Sequence, residues 1–159
     1  MKMKYKVLAL GVCMAMMLTA CGEDPALTQF RTDVDSFCTE ISQMDTAING
    51  IDPESETAVS DLLTYLDKLD ELFANFAELD FPEEFDYLEG LADEASEYMS
   101  VAVESFHEAY GNGSYNEYLE EYARENYSRA NKRILIIISF LHGEEPQDED
   151  LIIQTSESE

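Results

Sequence analysis

Apolar residues recur along this chain in steps of three and four, the spacing of one face of an α-helix. In the first stretch they fall at Leu27, Phe30, Val34, Phe37, Ile41, Met44 and Ile48. Pro25 suits the opening turn of that helix, and Asn49-Gly50 suits its stop. A second stretch opens at Asp52-Pro53 and repeats at Val59, Leu62, Leu66, Leu69, Phe73 and Phe76. Leu63, Leu72 and Leu79 widen that stripe, as a core-facing helix requires. The third opens near Asp80-Phe81-Pro82-Glu83 and runs through Phe85, Leu88, Ala92, Ala95, Met99, Ala102, Phe106 and Tyr110. Gly90 interrupts it, which predicts a kink or a close helix contact. Gly111-Asn112-Gly113 ends it, and Ser114 with Glu117 then reads as a capping box. The fourth stripe is Tyr115, Leu119, Tyr122, Tyr127, Ala130, Ile134, Ile137 and Leu141, stopped by Gly143 and Pro146.

These patterns predict helices over about 25–48, 53–79, 82–110 and 115–142. Three short connections between segments of similar length favour antiparallel neighbours. The expected fold is all-α: an antiparallel up-down-up-down four-helix bundle over residues 25–143. A three-helix bundle with the first helix loosely attached is the alternative. Residues 144–159 are acidic and contain serine, and read as a disordered tail. Leu151-Ile152-Ile153 gives that tail one apolar spot able to dock on the bundle.

Two places depart from the simple stripe. Ile134-Leu135-Ile136-Ile137-Ile138, then Phe140-Leu141, is apolar on every face. A helix of that kind is buried or covered. It is either a deeply buried helix end or a contact for a partner or lipid through Ile134, Ile136, Ile138 and Phe140. An isoleucine-rich β-strand is a third option, against which the long periodic stretch before it argues. At the other end of the fourth segment, Tyr110, Tyr115, Tyr118 and Tyr122 gather around a glycine-rich turn. Tyrosine offers a large apolar surface with a polar tip, so Tyr115 and Tyr118 are candidate partner contacts.

Charge narrows the choice of partner. The chain of 159 residues carries 35 acidic against nine basic side chains, a net charge of −26. Such a field repels nucleic acid and anionic surfaces and attracts cations and basic surfaces. With no basic patch, nucleic-acid binding is not expected.

The N-terminus has its own pattern. Lys2, Lys4 and Lys6 precede an apolar run from Val7 to Leu18, followed by Leu18-Thr19-Ala20-Cys21. A basic start, a short apolar core and small residues before a cut site make an export signal. With Cys21 at its end, the stretch resembles a bacterial lipoprotein signal with its lipobox. The resemblance covers only residues 1–22. It implies cleavage after Ala20, lipid on Cys21, and a bilayer partner held through that acyl anchor. It also implies an exported protein on the outer face of the cytoplasmic membrane, or on the outer membrane of a Gram-negative host. Losing the three signal lysines leaves six basic residues against 35 acidic, a net charge of −29. Cys13 leaves with the signal and Cys21 is lipidated. Cys38 is then the remaining cysteine, expected as a small buried hydrophobe beside Phe37. Residues 21–24 form a tether of roughly 15 Å, at no more than ~3.6 Å per residue. The start of helix one and the end of helix four are therefore expected near the bilayer, with the tyrosine-rich turn away from it.

Candidate chemistry is sparse. Glu104-Ser105-Phe106-His107 is a Glu-x-x-His motif of the di-iron kind. Such a site needs a second motif, and the only other histidine, His142, has Ser139 three residues before it. His107 with Met44 would have to act as haem ligands without any Cys-x-x-Cys-His attachment. Asp45, Asn49, Gly50 and Glu56 match positions 1, 5, 6 and 12 of a calcium loop, but Ala47 at position 3 and Asp52 at the usually apolar position 8 break the pattern, which leaves Asp45, Asn49, Asp52 and Glu56 as weak candidate ligands. No Gly-x-Ser-x-Gly elbow, P-loop or dinucleotide fingerprint occurs. The sequence thus favours a non-catalytic binding module with a protein partner and no cofactor. The alternatives are a cation or small-ligand binding lipoprotein and, behind it, a metal-dependent bundle enzyme.

Overall fold

A computed structural model describes residues 24–111 and 113–144, and every regular element among them is helical. Helix α1 spans Pro25–Asn49, α2 Ala58–Ala77, α3 Glu89–Gly111 and α4 Glu117–Leu141, with a single 3-10 turn at Asp86–Leu88 leading into α3. The signal with Ala20 and Cys21, and the acidic tail with Leu151-Ile152-Ile153, lie outside the described residues. Among those residues no helix is long and apolar enough to cross a membrane.

Local chemistry sets the helix ends. Asp24 accepts a hydrogen bond from the Ala26 N–H at 3.0 Å, and Pro25 occupies the first turn. The second helix starts later than its pattern suggests. Asp52 and Ser55 accept from the N–H groups of Glu54 and Thr57, holding residues 52–57 in turns. The third also starts late. Phe85 N–H bonds to Pro82 O and Leu88 N–H to Phe85 O, so residues 82–88 form turns rather than α-helix. The fourth is capped by Asn116, which accepts from Leu119 N–H at 3.2 Å, and not by Ser114 with Glu117. It ends in a Schellman motif. Glu144 N–H reaches Ser139 O, Gly143 N–H reaches Phe140 O, and Gly143 takes φ +72°.

The core is one cluster to which all four helices contribute. α1 supplies Phe30, Val34, Phe37, Cys38 and Ile41, and α2 supplies Leu62, Leu66, Leu69, Phe73 and Phe76. Phenylalanine rings dominate this half. Phe37 stacks on Phe76 at 4.3 Å and meets Phe73 edge-on at 5.5 Å. Phe81, in the α2–α3 connection, lies 4.8 Å from Phe30, so the loop is drawn into the core. The α3–α4 half is built differently. Ala92, Ala95, Ala102, Ala123 and Ala130 are all fully buried, and these small side chains let the two backbones approach closely. Cys38 is buried, as its position on the apolar face predicts.

Three sequence expectations need correction. Gly90 is exposed in the first turn of α3, and a Cβ there would touch nothing within 4 Å, so it marks no close contact. Tyr115 and Tyr122 are 42% and 43% exposed and do not belong to the buried stripe of α4. That stripe runs Ala123, Tyr127, Ala130, Ile134, Ile137 and Leu141 in steps of four and three. The step of five from Tyr122 to Tyr127 had already broken helical phase. The isoleucine run is helical, and Ile134 and Ile136 are only 1% and 3% exposed. They are therefore not the partner contacts that their neighbourhood suggested. Ile138 and Phe140 are half-buried, with Phe140 edge-on to the exposed Tyr87 at 5.7 Å.

Candidate functional site at the tyrosine-rich turn

The connection between α3 and α4 holds a short aromatic ladder. Phe106, buried on α3, stacks against Tyr110 one turn later at 6.5 Å between ring centroids. Tyr110 then meets Tyr115 across the turn at 5.6 Å. Asn116 N–H bonds back to Ala109 O at 3.0 Å and closes the loop, while Gly113 supplies the φ of +71° that the chain needs. The ladder ties the exposed tip to the core.

Glu120 organises the base of the tip. It accepts the Tyr115 hydroxyl, and Arg124 Nε at 2.8 Å. Burial pushes its carboxyl up, but the hydrogen bonds from Tyr115, Arg124 and Tyr110 outweigh burial and hold it below the usual glutamate range. The same bond acts on the other partner. Chiefly through its hydrogen bond to Glu120, the Tyr115 hydroxyl is pushed up to about 12. Beyond this clasp, the first turns of α4 point Tyr118 at solvent, 75% exposed, with Glu117, Glu121 and Tyr122 around it. Tyr115 is thus held from below by Tyr110 and Glu120, and Tyr118 and Tyr122 stand exposed beyond it on α4 among carboxylates.

Polar groups elsewhere pair in ways local sequence does not disclose. Asp45 is buried on α1, and its Oδ1 accepts the Tyr127 hydroxyl of α4 at 3.4 Å. Burial, then the Asp45 charge, push the Tyr127 hydroxyl well above the ordinary tyrosine range, against a hydrogen bond with the buried Asn131. Asp45 therefore faces the interior, whereas Asn49, Asp52 and Glu56 are exposed at the α1 end and the following turn. The four do not converge. His107 Nε2 lies 2.6 Å from Asp67 Oδ1 on α2, and Glu104 is exposed. Met44 packs against the core from α1. Among the described residues no three His, Cys, Asp or Glu side chains gather as metal ligands.

Asp45 did have a sequence signal: it follows Ile41 by four residues and so continues the buried face of α1. Its partner, 82 positions away, had none. No known protein family, curated protein or solved structure matches this chain.

Proposed function

We propose that this chain is a lipid-anchored, extracytoplasmic binding module that meets a protein partner through the tyrosine-rich tip. The reading takes residues 1–20 as a cleaved signal and Cys21 as the acylated N-terminus, on the strength of the lipobox at Leu18–Cys21. It takes the four helices as an antiparallel up-down-up-down bundle. Several pairings support that topology. Phe30 near the start of α1 meets Phe81 beyond the end of α2, and Asp67 of α2 meets His107 late in α3. Tyr87 ahead of α3 meets Phe140 near the end of α4.

The observation that carries the binding role is the shared exposure of Tyr118, Tyr115 and Tyr122 at one end of α4, with Tyr115 joined through Tyr110 to the core. A tyrosine has only two side-chain torsions to fix when a partner docks, and Tyr115 is already held by Glu120, which favours recognition. The anchor and the tip suit one another. α1 has 25 residues, about 38 Å at 1.5 Å per residue. A bundle of that height, tethered at the start of α1, holds its tip clear of the lipid headgroups.

Two measurements test the proposal. Protein purified from membranes should carry acyl chains on Cys21, and Cys21→Ala should stay unprocessed. A photo-crosslinking residue in place of Tyr118 should give specific adducts in cells, and one in place of the exposed Ser60 of α2 should not. Equal labelling from both positions would refute the tip as the contact surface.

A further inference from the structure

We infer that the partner presents a lysine- and arginine-rich segment to the tyrosine tip; this rests on the partner-surface reading above and adds the chemistry of what docks there.

Charge is unevenly distributed along α4. Its acidic residues, Glu117, Glu120, Glu121 and Glu125, all lie in its first nine positions. Its basic residues begin at Arg124 and continue at Arg129, Lys132 and Arg133, toward the far end. Arg124 is clasped by Glu120, so this cation near the tip is already paired within the chain. Glu125 is matched by Arg129 one turn on. Glu117 and Glu121 make no ion pair among the described residues, and both flank Tyr118, the most exposed large ring of the described chain.

Rings and carboxylates side by side select for cations twice over. A guanidinium or ammonium gains from the π-face of a tyrosine and from the neighbouring carboxylate at once. Arginine, planar and weakly hydrated, suits this better than lysine. The same pairing already occurs in this fold: Arg133 sits 5.0 Å from the centroid of Tyr98 while its Nε bonds Glu94 at 3.0 Å. The tip presents the ring and the acids of that arrangement and lacks the cation. The net charge of −29 left after cleavage disfavours the other occupants, since nucleic acid, anionic lipid and a second copy of this chain are all repelled.

The lipid-anchored protein from Cys21 onward in phosphatidylcholine nanodiscs, with its eight tyrosines replaced by 3-fluorotyrosine, gives a direct test. The probe is octa-arginine, with a neutral Gly-Ser peptide of equal length as control. Signals of Tyr115, Tyr118 and Tyr122 should move together with octa-arginine at low salt and stay still with the neutral peptide. Tyr118→Ala with Tyr122→Ala should weaken binding about tenfold. Glu117→Gln with Glu121→Gln should do the same, while Glu54→Gln with Glu56→Gln, which removes as much charge from the exposed α1–α2 turn, should change it less than about twofold. Equal losses from the two glutamine pairs would mean a diffuse acidic field and overturn the inference. So would tyrosine signals that do not move. Adding octa-arginine to the Tyr118 crosslinking experiment in membrane vesicles separates the two levels of argument. Adducts that vanish support a basic partner. Adducts that persist overturn the basic chemistry and leave the contact surface standing, whereas no adduct at all overturns both.

Discussion

The hydroxyl of Tyr127 on α4 donates to the carboxylate of Asp45 on α1 across a distance of 3.4 Å, with both side chains buried. An ionised carboxylate inside a helical core costs several kcal/mol in lost hydration unless donors meet it. Tyr127 is one such donor. Tyr127→Phe removes the hydroxyl at nearly constant shape and leaves the carboxylate short of it. We expect a loss of about 1–2 kcal/mol in urea denaturation. Asp45→Leu combined with Tyr127→Phe should recover much of that loss, because neither polar group then remains to be satisfied. A double variant less stable than the sum of the singles would contradict this.

Tyrosine ionisation gives a second readout. Tyr115 is pushed up to about 12 by its hydrogen bond to Glu120, and Tyr127 is raised further by burial and the Asp45 charge, against an ordinary value of 10.0. Both hydroxyls keep their protons longer in the folded chain than in the unfolded one. The stability they contribute is complete below 10 and is lost as pH climbs above it. Stability should therefore fall steeply above pH about 10, and Tyr127→Phe should flatten the fall. In a tyrosinate absorbance titration, Glu120→Gln should bring one group back toward 10. An unchanged curve would mean that Glu120 does not hold Tyr115.

Most of the fold was legible because the helices of this chain are long and strongly periodic. The stripes of α1 and α2 sit where their spacing puts them, and Phe37, Leu66 and Phe73 are buried accordingly. Legibility failed where side chains compete with the backbone. Asp52 and Ser55 draw residues 52–57 into turns that a periodicity count passes through. It failed again at the tip, where tyrosine is apolar enough to be counted as core and polar enough to sit in water. Glu120 and Arg124 are an i,i+4 pair that spacing offers, but Tyr115 joins them only through a turn geometry that no spacing rule encodes.

Two glycines should respond in opposite directions to the same substitution. Gly90 lies in the first turn of α3 with open space where a Cβ would stand, so Gly90→Ala should stabilise by about 0.5 kcal/mol through helix propensity. Gly143 takes φ +72° in the Schellman motif after α4. Gly143→Ala forces an L side chain into left-handed backbone and should cost about 1–2 kcal/mol. Thermal melts of the two variants decide this. A destabilised Gly90→Ala would restore the close-contact reading of that residue.

Asp70 is the described carboxylate with the clearest electrostatic discomfort. Burial raises its proton affinity above the ordinary 3.8, and the neighbouring charges of Asp67 and Glu71 add to it. The folded chain thus binds this proton more tightly than the unfolded chain does. The sign follows directly: stability contributed by Asp70 rises as pH falls from neutral toward 3.8, and is lost again as the group ionises. Asp67, one turn before Asp70 on the same helix, is the nearer like-charge neighbour, with Glu71 next in sequence. Asp70→Asn keeps the size of the side chain and removes its charge. It should raise stability at neutral pH by a few tenths of a kcal/mol, the scale of a like-charge pair on a helix. The gain should shrink in urea melts as pH is lowered from neutral toward 3.8, because the folded chain takes up this proton before the unfolded chain does. A loss of stability at neutral pH would show that the Asp70 carboxylate makes a favourable contact that outweighs the repulsion around it.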